Sequence, residues 1–491
     1  MIAALRLLAI WAVFFLVCLA ALLWTAAHGY VSSGVLASSG QAILAAEGRD
    51  SFGAVATAYP PLPYLLSLGT ALVGDASQLP ALTAAALAGG LFAVVVASSL
   101  GSAGIGRVTT AIITLLLVAN PLFLRALAEG PGVVLLVTSV FMFAAGFIGL
   151  RADGTASNVM TLAFALALMA FSHPYGIALA LAALPLLALA SAPHLIERTP
   201  GSLYLSLLFP LGFAFLAFAY VGQVFADAPW AFLGTLAAPF DAYALPQTPS
   251  QAALRMIGGL VLCAPVLIFA TVRAGRNPAL FVPMIALLSL PILGFALSGL
   301  LGARFDPTVA LAPVLGLAAA FTIFASGNSR RMMRTSLFLA AGLLGSVFWL
   351  ADNPTADTAA WRDAALGRSE AAPTPLGQLA GFLASRSEIL VDTNAYPELV
   401  ALRGTGAGLV VPGSTRFELD LLAARLQTRF VAVRDPAADI VVRDRINQAF
   451  PRLFRNGARD YGLVYHFEGW RVYERLVRDA RRSEPEPQPA G

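Results

Sequence analysis

The sequence predicts a polytopic α-helical membrane protein with about eleven spans, a juxtamembrane helix after the first span and a C-terminal soluble α/β domain. Three observations carry this prediction: 58% of the 491 residues are hydrophobic, only 12% are charged, and the mean hydropathy is +0.78. A soluble protein of this length could not bury so much apolar surface. The net charge of +4 comes from arginine without any lysine. In a membrane protein this charge indicates arginine in the inner loops rather than nucleic-acid binding.

Eleven apolar runs are long enough to cross a bilayer, which takes about 20 helical residues. The first run could be taken for a secretion signal, but many spans follow it, so we interpret it as an uncleaved helix. The runs lie at residues 3–26, 80–100, 108–124, 132–150, 157–171, 174–192, 203–224, 256–272, 279–298, 308–326 and 335–351. Cys18 and Cys263 fall inside such runs. They therefore indicate neither a disulfide framework nor a metal site.

A further apolar run at 61–74 includes Pro61 and is short for a crossing, at about 14 residues. Suppose that it does not span and that the N-terminus is inside. Nine of the thirteen arginines before residue 352 then fall in inner loops, and seven of the nine acidic residues fall in outer loops. Because inner loops are rich in arginine, we expect 61–74 to lie in or dip into the outer interface. One alternative stays open: a single kinked helix through His173 and Pro174 would reverse the side of every later loop.

These assignments divide the chain into a transmembrane domain at 1–351, with an outer-face loop at 27–79, an extracytoplasmic domain at 352–478 and a disordered tail at 479–491. The expected location is a bacterial inner membrane, with the N-terminus in the cytoplasm and the C-terminal domain outside.

The C-terminal domain is expected to contain a mostly parallel sheet. Short apolar runs at 388–392, 408–411 and 429–433 alternate with helical patterns at 375–386, 394–402 and 415–427. The segments 462–467 and 469–474 predict a hairpin. No glycine-rich phosphate loop opens any of these helices. The domain is therefore interpreted as a recognition module or a structural cap.

Candidate functional residues lie in the predicted outer loops. A carboxylate there can act as a general base on a sugar hydroxyl, or can hold a divalent metal ion against a phosphate. An arginine can bind a phosphate through two hydrogen bonds. The acidic candidates are Glu47, Asp50, Glu129 and Asp306, and the others are Arg304, His173, Tyr59 and Tyr64.

Each candidate has a plainer alternative. Acidic residues in outer loops are often only solvated, and Arg304 can equally anchor a helix end at the lipid headgroups. His173 fits a turn residue or a helix cap better than a ligand. The functional interpretation therefore requires Glu47, Asp50, Glu129 and Arg304 to converge on one cavity, within about 10 Å.

Three short patches resemble the GT-C superfamily of membrane glycosyltransferases, which use polyprenyl-phosphate sugars and include lipid A aminoarabinose transferases and protein mannosyltransferases. The patches are Tyr59-Pro60-Pro61-Leu62-Pro63-Tyr64-Leu65, Asn120-Pro121-Leu122-Phe123, and Arg304-Phe305-Asp306-Pro307 followed by Leu311-Ala312-Pro313. The order of parts is also similar: one helix, a long outer loop, further spans and a soluble outer domain.

The resemblance implies transfer of a sugar from a polyprenyl-phosphate donor to a lipid-linked or cell-envelope glycan. Glu129 and either Glu47 or Asp50 would supply a base or metal-binding carboxylates, and Arg304 would neutralise the donor phosphate. A divalent metal ion is the one cofactor that this chemistry could use. The expected partners are the donor, the glycan acceptor and membrane lipids, with no nucleic acid.

The sequence departs from this family directly after the first helix. The family has an acidic residue there, whereas this chain has Tyr30-Val31-Ser32-Ser33. The departure leaves a second hypothesis open: a scaffold or assembly subunit in envelope polysaccharide synthesis that has lost catalysis. A secondary transporter is disfavoured, because ionisable residues are nearly absent from the interiors of the spans.

Overall fold

The protein is described by a computed structural model over residues 2–74, 79–190, 200–230, 232, 249–275, 277–301, 305–325, 329–352, 355–368, 374–437 and 444–476. Within these residues the chain forms a bundle of apolar helices followed by a five-stranded sheet with helices on both faces. The predicted tail at 479–491 lies outside the described residues.

The first helix, α1 (Ile2–Ala27), is followed by three shorter helices, α2 (Ser33–Ala46), α3 (Phe52–Thr57) and α4 (Pro61–Val73). The hydroxyls of Ser32 and Ser51 cap α2 and α3 by accepting a backbone N–H of the first turn. Helix α4 begins with a proline, whose missing N–H is not needed in a first turn. At 13 residues α4 is too short to cross a bilayer, in agreement with the expectation for 61–74.

The bundle continues through α5 (Pro80–Ser102), α6 (Arg107–Val118), α7 (Pro121–Glu129), α8 (Pro131–Asp153), α9 (Ala156–Ser172), α10 (Pro174–Ala183), α11 (Leu187–Ala190), α12 (Pro200–Ala226), α13 (Pro249–Cys263), α14 (Pro265–Ala274), α15 (Pro278–Leu300), α16 (Pro307–Leu311), α17 (Val314–Ala325) and α18 (Ser329–Asp352). Across the described ranges, seven segments are long and apolar enough to cross a membrane, or up to nine if each of two bent pairs is one span. The chain is therefore a polytopic helical membrane protein.

Two of the predicted spans are bent where a proline begins their second half, whereas α12 and α15 contain internal prolines without such a bend. Helices α6 and α7 meet at a bend of 59°, and α13 and α14 at a bend of 81°. In both pairs the second helix begins at a proline, which cannot donate the hydrogen bond that would continue the first helix. Helices α9 and α10, on either side of His173, have only 17 and 10 residues. The eleven predicted runs thus correspond to seven full-length segments, two bent pairs and these two short helices.

Helix α8 lies at the centre of the bundle and packs against α5, α9 and α17. In its apolar window 89% of the residues are buried, compared with 11% for α1. Gly316 on α17 shows how closely the helices approach, since a Cβ atom there would lie 2.4 Å from the carbonyl oxygen of Val137. Small residues at a crossing allow this kind of backbone contact between membrane helices.

The sheet contains β1 (Ile389–Leu390), β2 (Leu409–Val410), β3 (Phe430–Arg434), β4 (Tyr461–Phe467) and β5 (Trp470–Arg475), in the order β2-β1-β3-β5-β4. Strand β1 is parallel to both β2 and β3, whereas β5 is antiparallel to β3 and β4. The sheet is thus parallel over its first three strands, and β4 and β5 form the predicted hairpin. The helices that follow the last membrane helix are α19 (Ala356–Ala365), α20 (Pro375–Leu383), α21 (Glu398–Arg403), α22 (Thr415–Leu422), α23 (Arg445–Ala449) and α24 (Leu453–Asn456).

Packing crosses the predicted domain boundary at residue 352 in both directions. Helix α19 follows that boundary, yet Trp361 and Ala364 are buried in the core of the membrane bundle. Helix α2 lies far before it, yet Ile43 and Leu44 are buried in the core on one face of the sheet. The two parts of the protein therefore each contribute one helix to the other.

Candidate functional site

The largest fully buried side chain in the described protein is a charged one, Arg125 on α7. Its guanidinium forms ion pairs with Asp357 and, at 2.7 Å, with Glu129; Asp306 lies at 3.9 Å. Its Nε donates to the hydroxyl of Thr358 at 3.4 Å. A buried charge needs partners of this kind, because its removal from water is otherwise too costly. We call Arg125 and its three acidic partners the carboxylate cluster.

Three separate segments bring the acidic groups to Arg125. Glu129 lies four residues after it, one turn further along α7. Asp306 caps α16, where one carboxylate oxygen accepts the N–H of Thr308 at 2.7 Å. Asp357 lies in the first turn of α19. The cluster therefore joins the bent α6–α7 pair, the start of α16 and the first helix after the last predicted span.

Threonine hydroxyls fix Asp306 relative to α19. The second oxygen of Asp306 accepts hydrogen bonds from Thr355 at 2.9 Å and from Thr358 at 3.3 Å. Thr355 is also the N-cap of α19, because its oxygen accepts the N–H of Thr358. The first turn of α19 therefore supplies Asp357 and also holds Asp306, and both carboxylates face the same nitrogen of Arg125.

The segment after α1 completes the cluster. The hydroxyl of Tyr30 donates to Asp357 at 2.8 Å, and the Tyr30 ring lies 5.7 Å from the Arg125 guanidinium carbon. Burial raises the pKa of Tyr30 despite the opposing effect of the Arg125 charge, so the phenol remains a donor at neutral pH. Ser32 donates to the backbone carbonyl of Glu129 at 3.3 Å. The segment after α1 therefore contacts two carboxylate-bearing residues, Asp357 through Tyr30 and Glu129 through Ser32.

The cluster carries three acidic groups and one basic group, which leaves a surplus of two negative charges when all are ionised. Arg125 donates to Thr358, Glu129 and Asp357, so this arginine holds the carboxylates in place. Glu129 and Asp357 are each 21% exposed and Asp306 is 11% exposed. These carboxylates are accessible enough to accept a proton from a bound hydroxyl group. In the part of the chain that the structure describes, no group of three or more His, Cys, Asp or Glu residues has the geometry of a metal site, and a divalent metal ion stays a prediction.

The other acidic candidates lie elsewhere. Glu47 accepts hydrogen bonds from Thr405 and Gly406 of the α/β domain and pairs with Arg49 at 3.1 Å. Asp50 is half-buried, which raises its pKa, and it accepts the N–H of Ser51 at 3.1 Å. Over the described ranges no hydrogen bond or ion pair joins either residue to the carboxylate cluster. The expected convergence of Glu47 and Asp50 with Glu129 is therefore not observed, because α2 directs Glu47 to the α/β domain; Asp306 and Asp357 meet Glu129 instead.

The remaining predicted residues have structural surroundings. Tyr59 donates to the Ala170 carbonyl at 2.5 Å, and its ring packs against Phe171, Phe218 and Phe232. The Tyr64 hydroxyl is buried with no hydrogen-bond partner among the described residues.

His173 caps α10 by accepting the N–H of Tyr175 at 3.1 Å, and its ring lies 5.8 Å from that of Phe305. This geometry agrees with the helix-cap interpretation of His173. Arg304 lies outside the described residues, so its role stays a prediction.

Sequence reasoning did not single out Arg125, Tyr30, Asp357 or the two threonines that hold Asp306. The pattern from Thr355 to Thr358 is a recognisable helix start, but nothing local connects it to a residue more than two hundred positions earlier. Comparison with models of known protein families and with curated proteins finds no match to this sequence.

Proposed function

We propose that the protein is a membrane glycosyltransferase that moves a sugar from a polyprenyl-phosphate donor to a lipid-linked or cell-envelope glycan. The observation that supports this proposal is the convergence of Glu129, Asp306 and Asp357 on one buried arginine beside the segment that follows the first helix. In the proposed orientation this end of the bundle faces the outside of a bacterial inner membrane. The acceptor glycan would approach it from the aqueous side.

The chemistry needs one base and a place for the leaving phosphate. Glu129 or Asp357 takes the proton of the acceptor hydroxyl as its oxygen forms a bond to the anomeric carbon. The bond from that carbon to the phosphate oxygen breaks, and the polyprenyl phosphate leaves with the electron pair. Tyr30 and Arg125 hold Asp357 in position through the contacts described above. Arg304, two positions before Asp306 in the chain, is the proposed cation for the donor phosphate.

One specific observation favours the alternative, a scaffold that has lost catalysis. Every carboxylate of the cluster already has internal partners: Arg125 for all three, Tyr30 for Asp357, and two threonines for Asp306. Such an arrangement could serve only to fasten α19 to α7 and α16. The scaffold would then act as a binding or assembly subunit in envelope polysaccharide synthesis.

Donor turnover separates the two functions. The purified protein in lipid nanodiscs is given polyprenyl-phosphate hexoses and pentoses with a membrane-lipid extract as acceptor, and release of polyprenyl phosphate is measured. We expect Glu129→Gln or Asp357→Asn to lower kcat by about 100-fold or more, the usual loss when a general base is removed. The matched control is Asp363→Asn, on the same helix as Asp357, with a side chain 45% exposed and an ion pair to its neighbour Arg362. It should leave kcat unchanged.

Full activity in both cluster variants would contradict the assignment of the base. Turnover of no donor by the wild-type protein, together with a loss of thermal stability in the cluster variants, would favour the scaffold.

A further inference from the structure

We propose that the α/β domain sets the position of the carboxylate cluster through α2, and that Glu47 is the positioning residue at the joint between them. The proposal gives a role to a carboxylate that lies outside the cluster. Its activity readout rests on the proposed transferase function, whereas its structural readout does not.

One end of α2 is joined to the α/β domain. The Glu47 carboxylate follows the last turn of α2 and accepts hydrogen bonds from the Thr405 hydroxyl at 2.6 Å and from the Gly406 N–H at 3.0 Å. A Cβ atom on Gly406 would lie 2.6 Å from a methyl carbon of Leu44 and 3.0 Å from the Glu47 carboxylate. The carboxylate thus lies directly against the Gly406 backbone, where an added Cβ would require these side chains to shift.

The middle of α2 is also in backbone contact with the domain. A Cβ atom on Gly40 would lie 1.9 Å from the carbonyl oxygen of Pro397, directly before α21. Ile43 and Leu44, on the following turn, are buried in the core formed by α20, α21 and the sheet. Helix α2 is therefore a structural part of the α/β domain, although the chain reaches that domain only after the last membrane helix.

The other end of α2 touches the carboxylate cluster. The Ser32 hydroxyl caps the helix through the N–H of Val35 at 3.1 Å and donates to the carbonyl of Glu129 at 3.3 Å. A Cβ atom on Gly34 would lie 3.1 Å from the same carbonyl. The first turn of α2 therefore rests directly on the residue that we propose as a base.

A short stiff helix connects these two contacts. Helix α2 has 14 residues, which corresponds to a length of about 21 Å. Near its middle, the Ser39 hydroxyl accepts the N–H of Ala81 at 3.2 Å and holds α2 to α5. Closely packed groups have little free space, so a displacement of one group moves its neighbours. A shift of the α/β domain at Glu47 would therefore tilt α2 and move Ser32 at its other end. A ligand or partner that moves the α/β domain would in this way change the position of Glu129.

The test compares Glu47→Ala and Glu47→Gln with a control that breaks a contact inside the same domain. Glu418→Gln is that control, because Glu418 pairs with Arg445 through both carboxylate oxygens and has no hydrogen bond or ion pair to α2 within the described residues. Hydrogen exchange of backbone amides is measured on the full-length protein in nanodiscs. We expect Glu47→Ala to speed exchange about tenfold both at the joint and in the first turn of α2, because a hydrogen bond to a charged group is lost. Glu47→Gln keeps one acceptor oxygen and should restore most of the protection.

In the donor-turnover assay, Glu47→Ala should lower kcat about tenfold with little change in KM, and Glu47→Gln should recover most of it. Faster exchange confined to the joint, or an unchanged kcat in an active protein, would overturn the proposal. If Glu47→Ala does not fold, Thr405→Val removes one donor to the same carboxylate and is compared in the same way. If the wild-type protein turns over no donor, the transferase function fails, and the exchange at the first turn of α2 alone decides this inference.

Discussion

Replacing Arg125 with methionine should destabilise the protein strongly, because it leaves acidic side chains without their cation. Arg125 donates to Glu129 and Asp357, and a hydrogen bond to a charged group contributes about 1.5–3 kcal/mol. Two such losses give about 3–6 kcal/mol, which overlaps the range of about 3–5 kcal/mol for removing one partner of a buried ion pair. The two carboxylates are each 21% exposed, so water compensates part of the loss. We therefore expect a decrease of about 3 kcal/mol in the free energy of unfolding, at the lower end of both ranges.

Denaturant titration in detergent micelles measures this free energy. The matched control is Arg362→Met, which removes a partly exposed arginine that pairs with its neighbour Asp363 in α19. It should cost less than about 0.5 kcal/mol.

A double variant sharpens the test of Arg125. If Arg125 acts by neutralising Asp357, then Arg125→Met combined with Asp357→Asn should be more stable than the sum of the single effects, with a coupling of about 1–3 kcal/mol. Additive effects, or a loss below about 1 kcal/mol for Arg125→Met, would refute the reasoning. Arg125 would then contribute packing volume to the bundle but no stabilising charge.

Two further predictions concern stability away from the cluster. Hydrogen bonds from Arg445 lower the pKa of Glu418, so this pair should stabilise the α/β domain above the ordinary Glu range, and the contribution should be lost as the pH falls through the lowered value. The unfolding temperature should decrease less steeply with falling pH in Glu418→Gln than in the wild-type protein. The same pH dependence in both proteins would contradict the pairing. Gly316→Ala should cost about 1–3 kcal/mol by overpacking against Val137, whereas Gly212→Ala, in an open position on α12, should be neutral or slightly stabilising in the same titration.

The class of the protein and the positions of most elements could be predicted from the sequence. Apolar runs of span length mark membrane helices wherever they occur, because the thickness of the bilayer fixes the length that is needed. The alternation of short strands with helices in the C-terminal part is equally local, and the segments at 388–392, 408–411 and 429–433 each coincide with a strand to within one residue at the C-terminal end or contain it. Glu129 and Asp306 could be singled out for a similar reason, as acidic residues at the ends of apolar runs.

Only the tertiary structure decided which of these groups meet. In the sequence, Arg125 is only a single charge beside an apolar run. In the structure it forms ion pairs with Asp306 and Asp357, which lie far along the chain. From the sequence, Glu47 was as good a candidate as Glu129. Because α2 packs against the α/β domain, however, the Glu47 carboxylate accepts a hydrogen bond from Thr405. Hydrophobic periodicity specifies that a helix has a buried face, but it does not specify the partner that covers this face. The choice of partners depends on which close-packed arrangement of the whole chain pairs the buried charges.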